Sequence, residues 1–159
     1  MTLKNAACVK AAFFLFFSMP YEFTDSKTNA DIGLLVTADG VEELFAEAAV
    51  GMTEIMADLD GVLEKRQLSF ELKGDDLEEL FYSWLSDLVY YKDVEGFLVK
   101  RCEVEIKRNK TISLSARLFG DDIDPQRQTL KADIKAITYY GFRIEQKEGQ
   151  WQAEVVFDL

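Results

Sequence analysis

The chain has 159 residues, the length of one domain with a sizeable core, and it needs no disulfide or metal staple to fold. Hydrophobic residues make up 48% and charged residues 30%, a globular balance that excludes a disordered chain. The net charge of -11 disfavours direct nucleic-acid binding, because phosphate contacts need a basic surface. Histidine is absent, which removes Ser-His and Cys-His nucleophile pairs and every His-ligated zinc site.

Residues 1–18 carry Lys4 and Lys10 and then the apolar run 11–17. The run is short for a signal peptide, lacks an A-x-A site and cannot span a bilayer. The favoured expectation is that residues 1–18 are an extension, that translation starts at Met19, and that the domain is 19–159. Cys8 and Cys102 have no CxxC spacing and are read as reduced thiols of a cytoplasmic protein.

Residues 21–24 form a short strand candidate, and the apolar stretch 32–38 reads as a buried strand. Asp39 with Glu42 suggests a capping box. Val41, Leu44, Phe45, Ala48, Met52, Ile55, Met56 and Leu59 then repeat at helical spacing, up to Asp60-Gly61. Residues 66–73 alternate as a strand, with Leu68, Phe70 and Leu72 inward. Asp75 with Glu78 repeats the capping pattern before a second amphipathic helix carrying Leu80, Phe81, Trp84, Leu85 and Leu88 to about Tyr91. Strand candidates follow at 97–100, 103–108, 111–119, 130–138, 142–146 and 151–157, with one long loop at 120–129. Helices followed by a block of hairpins imply an α+β, two-layer fold: a mainly antiparallel sheet packed against two amphipathic helices.

Most features that suggest chemistry have structural explanations. The aromatic stripe Phe81, Tyr82, Trp84, Tyr90 and Tyr91 reads as core, with Tyr82 and Tyr90 at its edge. The basic residues Lys100, Arg101, Lys107, Arg108 and Lys110 read as solvated strand ends. No phosphate-binding glycine motif is present. The aspartates are different. Asp25 and Asp31 bracket a segment before a buried strand, and Asp158 follows the apolar Val155-Val156-Phe157. Carboxylates at the end of apolar strands are stabilised by hydrogen bonds, ion pairs or a hard cation such as Ca²⁺, Mg²⁺ or Mn²⁺. Capping and turn aspartates are the alternative. In 130–138, strand alternation places Lys131, Asp133 and Lys135 on one face, where Lys135 is either a solvated lysine or a cation facing phosphate.

Taken together, these segments resemble the archease family. The resemblance rests on the opening aromatic strand and the Asp-x-x-Thr-x-Ala-Asp element ending at Asp31, then the helix Val41-Glu42-Glu43-Leu44-Phe45. It continues in Asp75 to Leu85, in Ile134-Lys135-Ala136-Ile137-Thr138-Tyr139, and in the terminal Val156-Phe157-Asp158-Leu159. It covers residues 21–159. It implies a non-enzymatic activator of an RtcB-type RNA ligase in tRNA splicing and RNA repair, promoting ligase guanylylation and repeated turnover. It also implies a divalent metal (Ca, Mg or Mn) held by Asp31 and Asp158, with Asp25 a weaker third, and a functional Lys135. The chain departs from the family where histidines are common: Gln128 and Tyr140 stand in such places, and the Asp25–Asp31 segment is longer. That shifts the expected donors toward oxygen alone. A stand-alone metal-dependent phosphoester hydrolase and a chaperone-like binding module are the competing functions.

Overall fold

A computed structural model of the chain describes residues 19–25 and 30–159, apart from the Asp25 side chain. The expected N-terminal extension, and Cys8 within it, lie outside the described residues. Among the described residues, seven strands and two α-helices run in the order β1 (Tyr21–Asp25), β2 (Asp31–Ala38), α1 (Val41–Met56), β3 (Arg66–Gly74), α2 (Leu77–Glu95), β4 (Phe97–Arg108), β5 (Ile112–Asp122), β6 (Ala136–Lys147) and β7 (Gln150–Asp158). This is the expected α+β class with antiparallel strands. The strands, however, divide into two sheets rather than one: β1-β2-β7-β6 and β3-β5-β4.

Both helices form where apolar residues recur at helical spacing. Leu44, Phe45, Ala48 and Met52 of α1 and Leu80, Phe81, Trp84 and Leu85 of α2 are all buried, within a core that draws on both sheets. Phe45 meets Phe81 edge-on at 4.9 Å between ring centroids, and the Trp84 Nε1–H donates to the Phe45 carbonyl at 2.9 Å. That bond gives the buried indole its partner and locks the two helices together.

The helix starts correct the sequence reading. Gly40, not Asp39, is the N-cap of α1, and no side chain caps it. Asp39 instead accepts from Gln150 Nε2 at 3.2 Å. At α2 the box shifts by one residue: the Asp76 carboxylate accepts the Glu79 amide at 2.8 Å, and Glu79 reaches back to the Asp75 amide at 2.8 Å. The helix continues to Glu95, past the expected end near Tyr91.

The segment 130–135 is not a strand. The Lys131 amide donates to the Met56 carbonyl at 2.8 Å and the Ala132 amide to the Ile55 carbonyl at 3.2 Å. The last carbonyls of a helix have no partner within it, and this segment supplies one. β4 is continuous where two strands were expected. A register shift between Val99 and Arg101 lets it follow β5 past an irregularity.

Candidate functional site

Strands β2 and β7 pair antiparallel along their full length, and the register sets Asp31 directly opposite Asp158. Alternation fixes their face. Leu34, Val36 and Ala38 of β2 and Ala153, Val155 and Phe157 of β7 are buried. The two aspartates therefore belong to the outward set at the end of the ladder, each partly buried. Opposed residues in such a ladder have Cβ atoms about 5 Å apart. Two residues separated by most of the chain thus become cross-strand neighbours.

β6 completes the edge. Ala136 pairs with Asp158 on its other side, and the Lys135 amide donates to the Asp158 carbonyl at 2.9 Å. The Lys135 Nζ donates to the Leu159 main-chain oxygen at 3.0 Å, and the Leu159 amide donates to the Ala30 carbonyl at 2.8 Å. Asp31, Asp158 and Lys135 therefore share one rim of the larger sheet. Thr138, two residues along β6 and on the same outward set as Ala136, has a buried hydroxyl with no hydrogen-bond partner among the described residues.

Asp25 pairs through its backbone with Ile32, and its side chain lies outside the described residues. Among the described residues, no three acidic or cysteine side chains come close enough together to hold a metal ion. The expectation of one face for Lys131, Asp133 and Lys135 fails with the strand that carried it. Lys131 pairs with Asp58 at 2.7 Å, Asp133 with Lys92 at 2.5 Å, and only Lys135 joins the aspartate rim.

Two other charged groups, Lys92 and Asp121, were not legible as special in the sequence. Lys92 is only 7% exposed and is held by Asp93 at 2.6 Å, by Asp133 and by the Ile134 carbonyl at 2.9 Å. Burial works against its charge, yet the two carboxylates outweigh it and hold the ammonium above its ordinary range. Asp121 is 3% exposed, with Arg127 at 2.7 Å and the Leu63 amide at 3.3 Å. Burial again opposes ionisation, and the Arg127 contact with two backbone amides reverses it, so the carboxyl lies below the usual carboxylate range. Gln128 is buried. It bridges the Asp124 amide (2.9 Å) and the Asp122 carbonyl (3.0 Å), which makes it a brace of this loop. Cys102 is a free thiol whose pKa is pushed up to about 12 by burial and by Glu47, which disfavours the thiolate.

Two antiparallel sheets sharing two helices place the chain among small α+β proteins. The chain belongs to the Archease protein family (MTH1598/TM1083), whose model matches residues 21–159. It is 35% identical to Protein archease of Pyrococcus abyssi over 133 residues, covering 82% of this chain and 94% of that one. It is 33% identical to Protein archease of Methanopyrus kandleri over 142 residues, covering 89% and 100%. The solution structure of Methanobacterium thermoautotrophicum protein 1598 superposes with a TM-score of 0.73 at 26% identity, covering 88% of this chain and 99% of that one. The crystal structure of an archease, possible chaperone, from Thermotoga maritima shares the fold, with a TM-score of 0.55 at 22% identity. It covers 86% of this chain and 96% of that one. These relatives carry the name archease, the name of the family to which the chain belongs.

Proposed function

We propose that the chain is an activator of an RtcB-type RNA ligase, working in the cytoplasm in tRNA splicing and RNA repair through a divalent cation at the Asp31–Asp158 rim. The observation that carries this reading is the register pairing those two aspartates beside Lys135. Like charges directly opposite each other on one sheet face repel, and a cation between them converts that repulsion into binding. The donors are hard oxygens, which suit Ca²⁺, Mg²⁺ or Mn²⁺. Asp25 is the proposed weaker third ligand.

Two aspartates opposed across the strands supply few ligands. Mg²⁺ and Mn²⁺ tolerate that better than Ca²⁺, because Mg²⁺ is usually bound through one or two carboxylates plus waters and substrate phosphates. An ion held this way keeps positions open for a partner's phosphate groups. When bound, it would supply charge neutralisation for nucleotidyl transfer on the ligase. Lys135 would fix the C-terminal end of β7, and so the Asp158 backbone, and add positive charge at the same rim.

The test combines purified ligase, GTP, Mn²⁺ and this protein. Ligase guanylylation and turnover should rise with the wild-type chain and fall back with Asp31→Asn or Asp158→Asn. No gain with the wild-type chain contradicts the proposal. A chaperone-like binding module is the second reading, favoured by the description of the Thermotoga maritima relative as a possible chaperone. Client binding indifferent to Asp31→Ala would support it instead.

A further inference from the structure

The face of α2 that turns away from the core is unusual in composition. Between Leu77 and Glu95 the helix carries Glu78, Glu79, Asp87, Asp93 and Glu95 against a single base, Lys92. Lys92 is buried and already held by Asp93 and Asp133. The outward residues therefore present carboxylates interleaved with Tyr82 and Tyr90, and no free cation of their own.

β6 adds to this face by breaking its own ladder. Thr138 pairs with Val156 and Arg143 with Glu154, so the residues between Thr138 and Arg143 loop out of register, with Gly141 at φ 64° allowing the turn. The excursion sends Phe142 into the core against Phe81 at 5.7 Å. It lays Tyr139 flat on Tyr82, with ring centroids 4.3 Å apart and planes 6° apart. Tyr139 nevertheless remains 70% exposed and the adjacent Tyr140 77% exposed. Glu78 and Glu79 precede Tyr82 by four and three residues on α2, which sets them on the same helix face as the stack, and burial, then Tyr82, Glu79 and Glu78, hold the Tyr139 phenol above its ordinary range.

We propose that this surface, the Tyr82–Tyr139 stack with Glu78 and Glu79, docks an arginine-bearing segment of a protein partner. Exposed aromatic clusters of this kind are found at interfaces. A guanidinium lies flat on a tyrosine ring while its N–H groups reach carboxylates at the edge, a combination that lysine matches less well. Nucleic acid and anionic membranes are repelled by the same carboxylates. The inference rests on the chain working through a protein partner, and not on the metal or on the identity of the ligase.

The test titrates the full chain with a short synthetic peptide of alternating arginine and glycine, followed by fluorescence anisotropy and by backbone amide shifts. Binding should map to residues 78–82 and 139–142, weaken with added salt, and be weaker for the matching lysine peptide. Tyr139→Ala should weaken it about three- to fivefold, and Glu78→Gln with Glu79→Gln about threefold at low salt. The carboxamide oxygen that Glu79→Gln introduces can still accept the Asp75 amide, so this second variant keeps the helix start intact. Asp31→Asn should bind the peptide unchanged even where it abolishes ligase stimulation, which separates failure of this inference from failure of the metal proposal. No binding by the wild-type chain, equal binding by both variants, or self-association through this face overturns the inference.

Discussion

At the scale of single residues, stability depends on a few buried charges whose partners come from distant segments. Asp121 is the clearest case. Arg127→Met removes the cation beside a carboxylate that is almost fully buried, and should cost roughly 2 kcal/mol in chemical denaturation, toward the lower end for buried pairs because Arg127 reaches solvent. The pH dependence has a definite sign. The folded Asp121 carboxyl lies below its unfolded value of about 4, so its contribution is fully present above that pH. It is lost as pH falls through the folded value. In the Arg127→Met variant this acid-side loss should be smaller, as read by denaturation midpoints between neutral and acid pH. Lys92 and Asp121 could not be singled out in the sequence. Each looks like an ordinary surface charge there, and only the packing of Ile134 or of the 121–128 loop buries it.

At the scale of elements, local chemistry decides the helix ends and close backbone contacts decide the sheets. Asp76→Ala should destabilise the fold by about 1 kcal/mol, because it strips the Glu79 amide at the start of α2 of its acceptor. Asp39→Ala should have no comparable effect on α1, since that helix starts at Gly40 without a side-chain cap. Gly120→Ala should be far more severe, on the order of 3 kcal/mol or more. A Cβ there would lie 1.9 Å from the Leu98 carbonyl oxygen, and backbone on both sides must shift. Thermal denaturation of the three variants checks the ranking. The helices were legible because their apolar spacing matches the burial at Leu44, Phe45, Leu80 and Trp84. Residues 130–135 were not, because the Lys131 and Ala132 amides serve orphan carbonyls at the end of α1, a tertiary role that no periodicity records. The division into two sheets was hidden for a similar reason. It depends on β2 choosing β7, a pairing between opposite ends of the chain.

At the scale of the whole molecule, that same long-range pairing makes the candidate site. The chemistry of Asp31 and Asp158 was legible as two carboxylates at the ends of apolar strands, and the family resemblance singled them out. Their proximity was not, since it exists only once β2 and β7 are in register. The net charge of -11 then favours cations and basic protein surfaces over RNA as direct partners. Calorimetric titration of the purified chain with Mn²⁺, repeated with Asp31→Asn and with Asp158→Asn, addresses the site most directly. One saturable site in the wild-type chain, lost in both variants while their folding is preserved, is the expected result. No saturable binding by the wild-type chain, or binding that survives both substitutions, would contradict it.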